Sequence, residues 1–375
     1  MALKVMTIVG TRPELIKLSR VIAELDARLP HVLVHTGQNF DYELNKIFFE
    51  QLEIRKPNHF LEVAAGTPAQ AIANIIAKSD EVLAKESPDA LLLLGDTNSC
   101  LSAIAAKKRK IPIFHMEAGN RCFDERTPEE TNRKIVDHVS DINLPYSEHA
   151  RRYLLAEGLK ADTIIKTGSP MKEVLQHYMP KIETSGVLKE LGLTPNGYFL
   201  VSAHREENVD TRENLLALLD SIKALGATYR LPVIVSTHPR TRKRLGELGQ
   251  IDAGPYVRFL KPLGFLDYVK LQMHARCVVS DSGTITEESS IAGFPAITIR
   301  NTHERPEGMD EGTLIMSGLR SEHVLKSVEV VLAHHREGTR AFRAVPDYEP
   351  DNVSKKVVRI ILSYVGYVNR YTWHR

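Results

Sequence analysis

The sequence of 375 residues contains few cysteines, no long apolar run and no block of like charge. Its three cysteines are widely spaced and odd in number, which argues against a disulfide framework and predicts a cytoplasmic location. No apolar stretch reaches the length of a membrane span, and the first residues lead directly into a predicted strand, so we expect neither a membrane partner nor a signal peptide. The net charge is +2 without a lysine and arginine cluster, so nucleic acid is not expected as a partner.

Several motifs of nucleotide and metal enzymes are also missing. The chain has no G-x-x-x-x-G-K-[ST] phosphate loop, no G-x-G-x-x-G after its first strand and no G-x-S-x-G elbow. These absences argue against an NTPase and against a nicotinamide enzyme. The histidines lack the spacing of metal ligands, so we expect no metal and no cofactor.

The remaining pattern is that of a soluble α/β protein, with 43% hydrophobic and 26% charged residues. Short apolar runs alternate with amphipathic stretches such as Ala69–Glu86 and Arg212–Leu225, which we predict as helices. The run LLLL at Leu91–Leu94 is typical of a parallel strand covered on both faces. The predicted strands are Val5–Val9, Val32–His35, Ala90–Leu94, Ile111–Phe114, Ile142–Leu144, Thr163–Lys166, Phe199–Ala203, Val233–Ser236, Val257–Leu260, Cys277–Ser280 and Ala296–Ile299.

This alternation predicts two doubly wound, Rossmann-like domains that face each other across a cleft. The turn-forming cluster Gly168-Ser169-Pro170 is the predicted boundary. We expect a first domain at residues 1–168, a second at 169–352, and a C-terminal helix at 353–375 that packs back onto the first domain. Ligands of such folds bind at the carboxyl ends of the strands.

The first predicted strand ends in GTRPELIK. Thr11 and Glu14 have capping-box spacing, and the helix start with Arg12 and Lys17 would suit a phosphate or a carboxylate. The alternative is a well-capped helix with two solvated cations.

Acidic residues follow two further strands of the first domain. GDTNSC places Asp96 after an apolar strand, and IPIFHMEAGNR places Glu117 after the next, with Arg121 expected to position Glu117 or a neighbour. Glu129 lies close behind in TPEETNR, and carboxylates that share a cleft have coupled pKa values suited to acid–base chemistry.

A structural interpretation of TPEETNR is equally open. Thr127 and Glu130 have capping-box spacing, and acidic residues in the first turn of a helix stabilise its dipole without any catalytic role.

The second domain has basic and small residues at its strand ends. SAHREEN places His204 and Arg205 after one strand, and STHPR places His238 after the next. A single histidine at such a position is more often structural, whereas two at adjacent strand ends favour a binding site.

SDSGTITEES combines a strand, a turn and a helix start, so the N–H groups of Ser282, Gly283 and Thr284 could surround a diphosphate. Glu288 is either a helix stabiliser or a ribose ligand, and Arg305 in NTHERPEG suits an anion.

Taken in order, these motifs resemble those of the non-hydrolysing UDP-N-acetylglucosamine 2-epimerase family. The matching motifs are GTRPE, GDTNS, HMEAGNR, PEETNR, AHREEN, DSGTITEES and ERPEG. The resemblance covers essentially the whole chain and implies a glycosyltransferase B-like architecture with UDP held mainly by the second domain. We also expect a homodimer.

The resemblance implies a role for each matching residue. Catalytic positions are matched by Asp96, Glu117, Glu129 and His204. UDP-sugar-binding positions are predicted at Arg12, Lys17, Arg121, Arg205, His238, Tyr268 (beside the uracil), Ser282, Gly283, Thr284, Glu288 and Arg305. The chain departs from the family in two places: Thr284 stands where a second glycine is common, and the loop between Arg121 and Pro128 is short.

Three segments resemble one subgroup more closely: NRCFDERTPEETNRKIVDH, HTGQNFDYELNKIFF and VNRYTWHR. That subgroup makes UDP-N-acetyl-L-fucosamine for bacterial capsule or O-antigen by 2-epimerising a 6-deoxy-L-talose precursor. The alternatives are a 2-epimerase that converts UDP-N-acetylglucosamine to UDP-N-acetylmannosamine, a glycosyltransferase of the same architecture, and a regulatory UDP-sugar-binding protein. A transferase needs one base and an acceptor groove, and a regulatory protein needs no acid–base set, so the acidic cluster favours an epimerase.

Overall fold

The computed structural model describes residues 3–37, 42–64, 66–249, 252–335 and 342–375. Part of the subgroup segment HTGQNFDYELNKIFF, namely residues 38–41 and the side chains of 42–45, lies outside the described residues. The chain forms two compact units: the first combines Met1–His177 with Asp347–Arg375, and the second is Tyr178–Pro346.

The first unit contains a six-stranded parallel sheet in the order β3-β2-β1-β4-β5-β6. Its strands are β1 Val5–Val9, β2 His31–His35, β3 His59–Phe60, β4 Ala90–Leu94, β5 Ile113–Met116 and β6 Ile142–Leu144. Its helices are α1 Arg12–Arg28, α2 Tyr42–Gln51, α3 Pro68–Glu86, α4 Ala103–Lys108, α5 Pro128–Val139 and α6 Glu148–Ala156. Helix α7, Met171–Glu183, contains the boundary between the units.

The second unit contains a parallel sheet in the order β12-β11-β10-β7-β8-β9. Its strands are β7 Phe199–Ser202, β8 Val233–Ser236, β9 Val257–Leu260, β10 Cys277–Ser280, β11 Ala296–Thr298 and β12 Ile315–Met316. Its helices are α8 Val187–Glu190, α9 Glu206–Val209, α10 Arg212–Tyr229, α11 Pro239–Glu247, α12 Phe265–His274, α13 Ile285–Ala292, α14 Pro306–Asp310 and α15 Ser321–His334. The chain then returns to the first unit as α16, Val353–Tyr371, and short 3₁₀ turns lie at Asn98–Ser102, Ala161–Thr163 and Pro346–Tyr348.

Both sheets are wound in the same way, and the predicted pair of doubly wound Rossmann-like domains is confirmed. Within each sheet the first strand lies beside the fourth, so β1 pairs with β4 and β7 pairs with β10. The chain winds in opposite directions from these two strands, and the loops at their carboxyl ends diverge. Each sheet therefore has one switch point that can accept a ligand.

Burial explains why the apolar runs form central strands. All five residues of β4 are buried, as expected for a parallel strand with helices on both faces. Helix α3 begins where the Thr67 hydroxyl accepts a hydrogen bond from the N–H of Gln70, and Pro68 occupies the first helical position. It ends at Ser87, which has a left-handed backbone.

The sequence-based strand prediction fails at short or weakly apolar segments. Thr163–Lys166 is wrong, because a 3₁₀ turn occupies Ala161–Thr163 and only one bridge, between Ile164 and Asn143, follows it. The two-residue edge strands β3 and β12 were not predicted, since two residues carry no readable alternation.

The last helix, α16, packs against α1 of the first unit. Its apolar residues recur at helical spacing, and Val353, Val357, Ile361 and Val365 are all buried. None of the described helices has the length and apolar content of a bilayer-spanning segment.

We expect Ile361→Ala to lower the free energy of unfolding of the first unit by about 2–4 kcal/mol, because the deleted side chain is fully buried and leaves a cavity. Trp373, the only tryptophan, belongs to the same unit and reports its unfolding by fluorescence in urea. Leu362→Ala is the matched control, since Leu362 is 51% exposed. Equal losses for the two variants would contradict the packing of α16.

Candidate active site

A buried carboxylate connects the two loops at the switch point of the first sheet. Glu14 accepts hydrogen bonds from the N–H of Gly10 (3.0 Å) and the hydroxyl of Thr11 (2.7 Å), which follow β1. Its other oxygen accepts from the hydroxyl of Ser99 (2.5 Å), which follows β4. The predicted capping box is half formed: the Glu14 carboxylate accepts from the main chain of Thr11, the N-cap residue, but the Thr11 hydroxyl donates to Glu14 and accepts no helix N–H. Burial raises the pKa of Glu14 to about 6, against the opposing effect of these hydrogen bonds.

Asp96 lies directly beyond β4 and is held by α5. The Nε of Arg133 donates to its Oδ2 (2.7 Å), and the side-chain amide of Asn132 donates to its carbonyl oxygen (2.9 Å). The Asp96 side chain is 23% exposed, whereas that of Arg133 is 4% exposed. Asp96 thus has a fixed orientation and still reaches solvent.

Glu117 follows β5 in a backbone conformation that is rare for a residue with a side chain, with φ of +63°. Lys17 donates to its Oε2 at 2.5 Å, and both side chains are largely buried. Lys17 was predicted as a UDP-sugar ligand at a helix start suited to a phosphate or a carboxylate, and the structure brings it to the carboxylate of Glu117. A strained backbone at a carboxylate with its own cation is typical of a functional site.

Glu129 and its neighbour Glu130 lie in the first turn of α5 and differ in their environment. Glu129 is half-buried. Glu130 is buried and accepts from the N–H groups of Cys122 (3.2 Å) and Phe123 (3.1 Å). The capping box predicted for Thr127 and Glu130 is wrong, because Thr127 makes no side-chain cap bond and Glu130 holds the preceding loop instead.

Arg121 lies inside the first unit with its side chain fully buried. Its Nη1 donates to Asp137 (2.7 Å), and its Nε and Nη2 donate to the two oxygens of Glu157 (both 2.7 Å). A guanidinium enclosed by two carboxylates supports the turn after β5, and its predicted role as a UDP-sugar ligand is not supported by this position. Arg12, in contrast, is half-buried at the start of α1, where its guanidinium lies 5.6 Å from the centre of the Phe48 ring.

The switch point of the second sheet is organised by Asp281, which was not predicted. This carboxylate is fully buried and accepts from the N–H groups of His204 (2.9 Å) and Arg205 (2.9 Å) and from the amide of Asn208 (3.1 Å). Burial alone would raise its pKa, but the charge and hydrogen bond of His204 and the other donors hold the pKa of Asp281 well below its usual range.

His204 is fixed by this carboxylate. Its Nδ1 lies 3.1 Å from Asp281, its side chain is 37% exposed, and its ring centre lies 5.4 Å from that of His238. His238 is the N-cap residue of α11, where its Nδ1 accepts from the N–H of Arg240 (3.2 Å). The structure therefore brings the two predicted histidines together.

The turn after β10 is compact. The hydroxyls of Ser282 and Thr284 lie 3.0 Å apart, and the N–H of Thr284 points to the Ser282 hydroxyl at 3.4 Å. A Cβ at Gly283 would lie 2.5 Å from an oxygen of Glu304, so a side chain there would require Glu304 to move. Because glycine has no side chain, the turn can pack directly against Glu304, which belongs to a network of charged residues.

That network pairs buried arginines with buried glutamates. Glu304 accepts from Arg300 (2.6 Å) and lies 3.4 Å from Arg205. Arg305, the predicted anion ligand, is buried and contacts Glu287 through Nε (3.1 Å) and Nη2 (2.9 Å).

Two further predicted ligands lie on helices of this unit. Glu288 is buried and accepts from the side-chain amide of Gln272 (2.6 Å). Tyr268 is partly buried in the apolar core, and burial together with the charge of Glu288 raises the pKa of its hydroxyl. Over the part of the chain that the structure describes, no group of three or more histidine, cysteine and acidic side chains is placed to hold a metal ion.

Comparison with known proteins gives a consistent result. Residues 23–362 match the family model described as UDP-N-acetylglucosamine 2-epimerase. A relative of that name from Methanococcus maripaludis is 36% identical over 346 residues, covering 90% of this chain and 94% of the relative.

Two solved structures are also similar. That of UDP-N-acetylglucosamine 2-epimerase from Rickettsia bellii is 57% identical, with a TM-score of 0.94 and full coverage of both chains. That of the Methanocaldococcus jannaschii UDP-GlcNAc 2-epimerase in complex with UDP-GlcNAc and UDP is 33% identical, with a TM-score of 0.90, 96% coverage of this chain and 100% of that one.

The raised pKa of Glu14 predicts a pH-dependent contribution to stability. The folded state retains the Glu14 proton to about pH 6, above the ordinary value of 4.5, so this contribution is complete below pH 4.5 and is lost as the pH rises through 6. Glu14→Gln abolishes the titration. We expect its stability relative to the wild type to improve by about 2 kcal/mol between about pH 4 and pH 7, measured by urea denaturation. The exposed Glu81→Gln is the control, and a pH-independent difference for Glu14→Gln would contradict the assignment.

Proposed function

Because the chain belongs to the UDP-N-acetylglucosamine 2-epimerase family and is therefore a non-hydrolysing isomerase, we propose that it inverts C2 of a UDP-2-acetamido sugar. The observation that carries the proposal is the set of carboxylates at the ends of two paired strands and on the adjoining helix: Asp96 after β4, Glu117 after β5 and Glu129 on α5. Family membership sets aside the glycosyltransferase and regulatory alternatives.

The chemistry of the sugar explains why more than one carboxylate is needed. The proton on C2 is not adjacent to a carbonyl group, so its simple removal would leave an unstabilised carbanion. In an elimination, a base takes the C2 proton and the C–H electrons form a C1–C2 double bond. The C1–O bond breaks at the same time, and UDP leaves with the electron pair of that C1–O bond. The product is a 2-acetamidoglycal. Protonation of C2 from the opposite face, with return of the UDP oxygen to C1, gives the inverted sugar.

We assign the proton transfers to Asp96, Glu117 and Glu129. One group must remove the proton and another must deliver one, so at least two acid–base residues are required. The Arg133 and Lys17 contacts support this assignment, because each cation holds a carboxylate in one orientation and general acid–base catalysis depends on geometry.

We assign the UDP group to the second unit. The small Ser282–Thr284 turn suits a diphosphate, and His204 and Arg205 lie at the same switch point to stabilise the charge on the leaving group. Arg305 contributes its positive charge to this edge of the sheet. Glu288 is proposed to bind the ribose, and Tyr268 is proposed to contact the uracil.

We propose UDP-2-acetamido-2,6-dideoxy-L-talose as the substrate and UDP-N-acetyl-L-fucosamine as the product. The support is the short loop between Arg121 and Pro128. Phe123 in this loop is 71% exposed, adopts a left-handed backbone with φ of +55°, and packs edge-on against Tyr153. An exposed aromatic ring on a loop whose main chain is held by Glu130 suits the methyl group that a 6-deoxy sugar carries in place of a hydroxymethyl group.

UDP-N-acetylglucosamine is the second candidate substrate. It is favoured by the 57% identity to the Rickettsia bellii protein, which is a UDP-N-acetylglucosamine 2-epimerase by name. With either substrate, we propose a homodimer in the cytoplasm. The three cysteines, all unpaired thiols, suit a reducing compartment. Capsule or O-antigen synthesis is the proposed use of UDP-N-acetyl-L-fucosamine.

A substrate panel in D₂O tests the reaction and the substrate together. Elimination exchanges the C2 proton with solvent, so the product should carry deuterium at C2, and free UDP and glycal should accumulate on long incubation. We expect fast exchange with the 6-deoxy-L-talose substrate and little with UDP-N-acetylglucosamine. Preference for the latter would overturn the substrate proposal, and product without C2 deuterium would overturn the mechanism.

Substitution of the three carboxylates tests their roles. Asp96→Asn, Glu117→Gln and Glu129→Gln should each lower kcat by about 100-fold or more, because each removes a proton-transfer group. UDP affinity, measured by calorimetry, should stay within several-fold of the wild type for at least two of the three. Glu81→Gln, an exposed carboxylate on α3, is the control with normal turnover. Normal turnover in all three variants would show that these residues are structural.

A further inference from the structure

His115 is a buried residue that neither the sequence motifs nor the proposed mechanism assigns a role. It lies on β5 with 1% of its surface exposed. Its Nδ1 is 2.9 Å from Oδ1 of Asp137, and its Nε2 is 2.7 Å from the carbonyl oxygen of Gly95. Both partners are acceptors, and a neutral imidazole has only one N–H to donate. The two contacts together therefore require the doubly protonated ring.

The charges around the ring favour that form. Burial alone lowers the pKa of His115, but the hydrogen bond and charge of Asp137, the carbonyl of Gly95 and the charge of Asp96 outweigh it, so the pKa is raised. The pKa of Asp137 is lowered despite its burial, by His115 and by Arg121. Arg121 in turn is paired with Glu157 from α6.

The partners of His115 belong to the two segments that carry the proposed acid–base groups. Gly95 immediately precedes Asp96. Asp137 accepts the N–H of Gly119 at 3.1 Å, and Gly119 closes the turn that contains Glu117. A Cβ at Gly119 would lie 2.4 Å from the carbonyl oxygen of Ala150, so this turn is closely packed against α6. The chain from Gly95 through His115 and Asp137 to Gly119 therefore links the two carboxylate-bearing turns by hydrogen bonds.

We propose that His115 is a positioning residue for the epimerase reaction: its imidazolium joins the Gly95 carbonyl to Asp137 and sets the spacing between Asp96 and Glu117. The proposal rests on the proposed function, because it requires those two carboxylates to act on the substrate. His115 itself transfers no proton, since both of its ring nitrogens are occupied inside the protein.

Two conservative variants separate the contacts of the ring. The amide nitrogen of glutamine reaches the position of Nε2, so His115→Gln keeps the bond to Gly95. The amide nitrogen of asparagine reaches the position of Nδ1, so His115→Asn keeps the bond to Asp137. It loses the bond to the carbonyl of Gly95, which holds the turn that contains Asp96. We expect kcat to fall by about 10-fold to 100-fold in His115→Asn and by less than about 5-fold in His115→Gln, with KM and UDP affinity nearly unchanged, because small displacements of catalytic groups affect the chemical step. The loss is smaller in His115→Gln because Asp137 is still held by its contacts with Arg121 and Gly119.

Circular dichroism and the fluorescence of Trp373, which lies in the same unit as His115, establish that both variants are folded. Equal kcat values for two folded variants, or a loss confined to KM and UDP affinity, would overturn the proposal. Wild-type C2 exchange in D₂O is measured alongside. Its absence would overturn the proposed function, whereas normal wild-type exchange with unaffected variants would overturn only the role of His115.

The protonation state gives a test that does not depend on the variants. In the wild-type protein, ¹⁵N NMR of the His115 ring should show both nitrogens protonated at neutral pH. The wild-type kcat should also decline at alkaline pH as His115 loses a proton, and His115→Gln should lack this decline. A neutral His115 ring at neutral pH would overturn the proposal even if neither variant folds.

Discussion

Buried carboxylates that accept hydrogen bonds from main-chain N–H groups hold the loops on which the candidate site is built. At the carboxyl end of a parallel sheet the chain leaves the hydrogen-bonded ladder, and its exposed polar groups must find other partners. Glu14 accepts the N–H of Gly10, Asp137 that of Gly119, and Asp281 those of His204 and Arg205. A charged acceptor forms stronger hydrogen bonds than a neutral one, and removing one of its donors costs more free energy. These loops are consequently fixed without any regular secondary structure.

The acidic residues of the chain therefore fall into two groups with different tasks. Glu14, Asp137 and Asp281 are fully buried, and their oxygens accept hydrogen bonds from the protein itself. Asp96 and Glu117 contact long cationic side chains and retain some exposure, which leaves them able to meet a substrate. Because the first group immobilises the main chain beneath the second, the carboxylates proposed to transfer protons would need little reorganisation during catalysis.

The sequence predicts the fold better than it predicts the contacts within the site. Fully apolar runs such as Leu91–Leu94 identify the central strands, and the residues after them identify the correct edge of each sheet. Partners are harder to predict, because they are distant in the chain: Lys17 meets Glu117, and His204 meets Asp281. Capping-box spacing was misleading at Glu130, which accepts from the preceding loop and not from its cap residue. At Glu14 it was incomplete, because Ser99 from a distant segment adds to the local donors. No pattern within a single segment contains that information.

The return of the chain to its first unit has a consequence for folding during synthesis. The unit that carries the carboxylates is closed by α16, which packs on α1, while the whole second unit lies between them in sequence. A ribosome must therefore release the chain through α16 before the first unit can bury the apolar face of α1, whereas the second unit is continuous and complete once Pro346 has emerged. Loss of the last turns of the chain would thus impair the part that was made first.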